Sequence, residues 1–187
     1  MACIDPSCEW GYRGGMADTD SVAMLIAGVA LDPVTRSPIV VLRDEDGKLH
    51  LPIWIGLLEA TAIASQLEGV KPTRPMTHDL LLDAIAALGA GVQSIEVSRL
   101  DEGTFFAEIQ ILRGNEILTL DARPSDAIGL ALRAGCPIRV ARSVLDAAAP
   151  VSDENASEEE RDLSSISREK WREILEKMSP DDFKYKM

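Results

Sequence analysis

Apolar and polar positions change period repeatedly along the first 146 residues, which divides that part of the chain into short elements. Residues 22–31 are apolar and run into Asp32-Pro33, the pattern of a strand entering a turn. Residues 39–42, the turn DEDGK at 44–48 and residues 49–55 then read as a β-hairpin. In its second arm Leu49, Leu51, Ile53 and Ile55 recur at the two-residue period of a half-buried strand. His50, between two of them, is expected to point away from the core, and Trp54 is expected to pack against it.

The period lengthens over residues 56–67, where apolar residues fall at helical spacing and Gly69 follows as a C-terminal stop. Leu80, Leu81, Ile85 and Leu88 define a second helix that stops at Gly89. Residues 92–98, 104–112 and 116–121 predict three strands joined by turns at DEG and RGN. A third helix is predicted over 124–134, closed by Gly135, with a last short strand at 137–140.

A shift of 67 residues superimposes parts of this pattern: Gly47 on Gly114, Leu51 on Leu118, Ile53 on Leu120, and Glu59-Ala60 on Asp126-Ala127. Both halves therefore read as hairpin then helix, through either duplication or convergence on a common motif. The fold class that follows is α+β, with the two halves forming one compact domain over residues 22–146. Around it lie a polar leader (1–21), expected to be disordered, and an acidic linker (147–166) containing SDENASEEERD. A C-terminal segment (167–187) places Trp171, Ile174, Leu175 and Met178 on one face of an amphipathic helix. That helix is too short to fold alone and is expected to dock on its own domain or on a partner chain.

Composition narrows the function classes. No apolar run approaches the roughly 20 residues of a membrane span, and the first residues lack the order of a signal peptide, so a cytoplasmic location without membrane contact is expected. The net charge of -12 is spread over leader, domain and tail, with no basic patch to drive counterion release on a polyanion. Cys3, Cys8 and Cys136 lack zinc-ligand spacing, and Cys136 reads as a reduced, buried thiol.

Two segments carry the candidate chemistry: RPMTHD at 74–79 and RPSD at 123–126. Thr77 and Ser125 are suited to cap helix starts, and Asp79 and Asp126 to meet the positive end of a helix dipole. Capping does not explain Arg74 or Arg123, each of which stands beside an acid and a free helix N-terminus, an arrangement that holds phosphate. His78 is the best-placed general acid or base. Its neighbour Asp79 diverges from it around a helix, so its partner must come from elsewhere, with Glu59, Asp121 and Asp126 as candidates. For metal-assisted phosphodiester hydrolysis, Glu59, Asp79, Asp121 and Asp126 would hold a divalent Mg or Mn ion while Arg74, Arg123 and Ser125 bind substrate. The catalytic groups would be His78, Asp79 and Asp126.

Taken together, LPIWIG..EA (51–60), RP.THD (74–79) and DARPSDAI.LA (121–131) resemble the bifunctional nuclease family, over about residues 22–145. The resemblance implies a single α+β domain, often self-associating, in a family with members that degrade both DNA and RNA. DNA or RNA as substrate and a homo-oligomeric state are therefore expected. The alternative is a non-catalytic oligomeric module that binds a small anionic ligand or a protein partner.

Overall fold

The computed structural model describes residues 20–32 and 35–148. Residues 1–19 of the expected leader, most of the acidic linker and the C-terminal helix lie outside the described residues, while Ser21, at the leader's end, belongs to the first strand. Those described form an α+β fold with strands β1 (Ser21–Leu31), β2 (Pro38–Arg43), β3 (His50–Trp54), β4 (Ala90–Asp101), β5 (Thr104–Arg113), β6 (Glu116–Ala122) and β7 (Ile138–Ala141). The helices are α1 (Leu57–Leu67), α2 (Thr77–Ala87), α3 (Pro124–Ala134) and α4 (Arg142–Ala147). No helix among the described residues is long and apolar enough to cross a membrane.

All seven strands belong to one sheet in the order β3-β2-β1-β7-β4-β5-β6. Each half supplies an antiparallel meander, β1-β2-β3 or β4-β5-β6, followed by a helix. The turns that close β2 to β3 and β5 to β6 pass through Gly47 and Gly114, both at positive φ, where a side chain would be strained. Strand β7 joins the halves, antiparallel to β1 and parallel to β4. Parallel pairing needs a crossover, and α3 with its left-handed stop at Gly135 provides it.

Alternation along the strands sets the buried face. In β5 Ala107, Ile109 and Ile111 are buried while Glu108 and Gln110 between them are only partly so; Val40, Leu42, Leu51 and Ile53 do the same in β2 and β3. Helix α3 is almost wholly interior, with Ala127, Ile128, Leu130 and Ala131 buried, and it packs on β4 and β5 with α1 and α2 at its sides. Small residues there let the neighbouring helices approach closely, and that central placement brings the ends of α1, α2 and α3 together. Truncating a core residue such as Leu130 to Ala would cost about 2–5 kcal/mol.

Three expectations are corrected. Thr77 and Ser125 are not N-caps: the caps are Met76 and Arg123, and both hydroxyl residues lie inside the first turn. Pro124 occupies the first helical position, where its missing N–H costs nothing, so the helix starts at 124 as its period predicts and the cap falls on Arg123. The first turn of α2 is satisfied from within, because the Asp79 carboxylate accepts the Met76 backbone N–H at 2.8 Å. Trp54 does not pack into the core. It is 56% exposed, and its Nε1–H donates to Asp32 at 3.0 Å. Helix α4, with Val144 and Leu145 buried, has no counterpart in the sequence reading.

Candidate active site

The segments RPMTHD and RPSD meet where α2 crosses α3. His78, in the first turn of α2, is buried with its Nε2 3.7 Å from Asp126 Oδ1, so the acid partner it lacked in its own segment comes from α3. The close approach depends on Gly129, one turn along α3. A Cβ there would come within 2.8 Å of His78 Nε2. Burial lowers the His78 pKa below its usual value, and Arg133 lowers it further; Asp126 and Asp79 act in the opposite direction without reversing the shift. The ring is neutral at pH 7 and can accept or donate one hydrogen bond through each nitrogen.

Asp126 is also held from the other side. Arg123, the cap of α3, donates from Nε and Nη2 to its two oxygens at 2.7 and 3.1 Å, a bidentate pair. Nη1 of the same guanidinium lies 2.9 Å from Glu59 in the first turn of α1. Two acids that occupy equivalent places in the sequence echo thus converge on one arginine. Its two carboxylates hold Arg123 protonated far above the physiological range, with the Asp126 hydrogen bonds as the main cause. The Glu59 carboxylate folds back over Gly56, where a Cβ would collide with Oε2.

A second ion pair fixes the frame. Arg133, in the last turn of α3, has a side chain 7% exposed and meets Asp79 at 2.5 Å. It also donates to the carbonyls of Gly129 at 2.9 Å and Ala62 at 3.4 Å, tying α1, α2 and α3 through one guanidinium. Burial would raise the Asp79 pKa, yet the Met76 N–H and Arg133 outweigh it and the carboxyl is held low. Both Asp79 oxygens are thus engaged, Oδ1 by Arg133 and Oδ2 by the Met76 N–H.

The remaining candidates are dispersed. Arg74 is exposed and has no ion-pair partner among the described residues. Asp121 is exposed on β6, opposite Glu108 of β5. Of the four acids proposed as metal ligands, Glu59 and Asp126 share Arg123, and Asp79 is bound to Arg133. No three His, Cys, Asp or Glu side chains gather among the described residues. The arrangement as it stands does not fit a divalent cation, because a guanidinium already neutralises the paired acids. Cys136 is a free, half-buried thiol, its pKa pushed up to about 11 by burial.

Beside the Glu59–Arg123 pair opens a cavity of about 660 Å³, bounded by the starts of α1 and α3, the end of β3 and the β4–β5 turn. Glu59, Arg123 and Ser125 line it on the polar side. Ser125 is 6% exposed and its hydroxyl has no hydrogen-bond partner among the described residues. Trp54, Leu57, Leu58 and Phe105 form the apolar side. His78 and Asp79 do not line the cavity, so His78 reaches it only through Asp126 and Arg123. Arg133, Gly129, Leu57, Leu58 and Phe105 had no signal in the sequence beyond ordinary helix and strand composition, whereas Gly56 and Trp54 lie in the motif LPIWIG..EA.

Residues 40–153 match the family described as the bifunctional nuclease domain. An uncharacterized protein of Mycobacterium tuberculosis is 41% identical over 160 residues, which span 85% of this chain and 96% of that one. Bifunctional nuclease 2 of Oryza sativa subsp. japonica is 31% identical over 57% of this chain and 34% of its own length. Bifunctional nuclease 1 of Arabidopsis thaliana is 29% identical over 55% of this chain and 33% of its own length. The matched segment contains Glu59, both Arg-Pro segments and every residue of the ion-pair cluster, and on this match the chain belongs to the bifunctional nuclease domain family.

Proposed function

We propose that the chain is a nuclease that hydrolyses phosphodiester bonds of DNA or RNA at the cavity beside Arg123. The observation that carries this reading is the bridge Glu59–Arg123–Asp126 at the cavity edge, within a chain of this family. Arg123 is held by Asp126 in a bidentate pair and by Glu59 through a single nitrogen, so an incoming phosphate oxygen displaces Glu59 more readily than Asp126. Phosphate then lies on Nη1 and next to the Ser125 hydroxyl; the released Glu59 carboxylate accepts a proton from the attacking water as its oxygen bonds to phosphorus, the phosphorus bond to one sugar oxygen breaks, and that oxygen leaves with a proton taken from solvent. His78 stands behind Asp126 and fixes its orientation, which makes it a positioning residue. Arg74 is exposed and does not line the cavity, and the chemistry is derived without Mg or Mn.

The test is cleavage of labelled single- and double-stranded DNA and RNA by highly purified protein with magnesium, manganese or EDTA, alongside Asp126→Ala. Activity that co-purifies with the protein and falls in the variant supports the reading. Equal trace activity in both samples sinks it. A second reading, an oligomeric binding module without catalysis, draws on α2 and its C-cap, where the large apolar residues Leu80, Leu81 and Leu88 are exposed. Under that reading a ligand raises thermal stability without turnover.

A further inference from the structure

We infer that the cavity selects an unpaired nucleotide, with Trp54 as the platform on which one base stacks and Arg123 with Ser125 as the phosphate end. The inference rests on the phosphodiester reading of the same site and specifies its substrate as single-stranded or locally unpaired nucleic acid.

Three observations converge on it. Trp54 is 56% exposed at the end of an edge strand, yet it is not loose, because its Nε1–H is held by Asp32 at 3.0 Å. A large ring fixed at its edge, with its surface left open, is a ready stacking surface, for its orienting hydrogen bond is already made. The apolar wall and the polar end belong to one cavity of about 660 Å³, within the size range of small-ligand sites. The polar end includes Ser125, which is 94% buried and unpartnered among the described residues.

Charge decides between duplex and single strand. A duplex offers a protein mainly its phosphates, and this chain carries net charge -12, with Arg123 already facing two carboxylates. Phosphate attraction alone is therefore a weak source of affinity here. Stacking on an aromatic face needs no net positive charge, and it demands a base that is not stacked on its neighbours. The same reasoning predicts a shallow salt dependence, near that of one or two phosphates, with a slope of roughly -0.7 for each on a single strand.

The experiment measures binding by fluorescence anisotropy in EDTA, so that binding is read apart from metal-dependent turnover. The probe is a labelled strand of about 12 nucleotides, a length within the usual single-strand site sizes, free or in a blunt duplex. The full chain is compared with Trp54→Ala and Trp54→Phe, each checked for an unchanged melting transition. The single strand is expected to bind at least about tenfold tighter than the duplex. Trp54→Ala should weaken it by about 5- to 100-fold and Trp54→Phe by much less, from the usual strength of one base–aromatic stack. Equal affinity for the two probes, or full affinity in a folded Trp54→Ala protein, overturns the inference. So does a change confined to self-association, which would make a second copy the occupant of the wall. Trp54-dependent binding without cleavage in any metal would end the hydrolase reading and leave this one standing. Cleavage of duplex and single strand at equal rates, unaffected by Trp54→Ala, would do the reverse.

Discussion

The imidazole of His78 rests on the backbone of Gly129, so closely that a methyl group at 129 would lie 2.8 Å from Nε2. An imidazole ring sits close to its own backbone and cannot swing aside as a long side chain would. Gly129→Ala is therefore expected to combine a helix-propensity gain of about 1 kcal/mol with an overpacking cost of about 1–3 kcal/mol. The net effect should be destabilising. In a His78→Ala background the clash is gone and the same substitution should become stabilising. Urea unfolding of the four proteins of this cycle checks the change of sign, and Gly129→Ala destabilising both backgrounds alike would refute the contact.

The lowered pKa of His78 makes stability depend on pH in a defined direction. In the unfolded chain the group titrates near 6.5, and in the folded protein it titrates lower, chiefly because burial penalises the charged ring. Between those two values the unfolded state binds more protons, so stability falls as the pH falls. The contribution is fully present above about pH 6.5 and decays below it until the folded value is passed. Each unit of separation is worth about 1.4 kcal/mol. In His78→Gln that part of the slope should disappear. Asp79 acts in a separate window, since its carboxyl is held below 3.8 and its contribution is lost only in stronger acid. Chemical unfolding at intervals from pH 7.5 to pH 5, wild type against His78→Gln, distinguishes the two groups.

Arg133 and Asp79 form the pair whose disruption should be most costly to folding. Arg133 is nearly enclosed, and its other donors face only the carbonyls of Gly129 and Ala62. Removing the acid alone leaves a buried guanidinium without its counter-charge, so Asp79→Ala is expected to cost about 3 kcal/mol. Arg133→Met supplies apolar bulk and should cost less than Arg133→Ala. The double variant Asp79→Ala/Arg133→Met should lose clearly less than the sum of its single losses. Strict additivity in denaturant unfolding would show that the pair is not coupled.

Much of the sheet was legible because its turns carry glycine at positive φ and its strands alternate cleanly. Gly47, Gly89, Gly103, Gly114 and Gly135 mark the ends of elements where the sequence placed them. What failed was non-local. The insertion of β7 between the two meanders depends on pairing between distant segments, and α4 is too short to show a period. The echo at 67 residues located Glu59 and Asp126 but not the arginine they share. It also overstated the likeness of the halves: Leu51 and Ile53 are buried in β3, whereas Leu120 in β6 is exposed. Trp54 and Arg133 were misread or missed for one reason, since burial and ion pairing are set by elements far away in sequence. His78 was legible as chemistry with Asp126 among its three candidate partners, and only the choice among the three needed the fold.

Arg123 separates function from stability in a way that Arg133 does not. Its side chain is 57% exposed, so solvent screens both ion pairs and their contribution to folding is small, about 1 kcal/mol or less. Its geometry is another matter, because one planar group spans two carboxylates and a cavity edge. Arg123→Lys keeps the charge but cannot span both acids, and it is expected to lose most of the activity, about tenfold or more, with little change in melting temperature. Gly56→Ala approaches the same bridge from the other side. Its added Cβ would collide with Glu59 Oε2, the far end of a flexible side chain that can move away at little cost. The Glu59 carboxylate should then leave Arg123 while the fold remains intact. Because the collision also drives that carboxylate from the place where it takes the water's proton, both variants should lose cleavage and melt like the wild type. Wild-type rates in a folded Gly56→Ala protein would show that the Glu59 half of the bridge is dispensable.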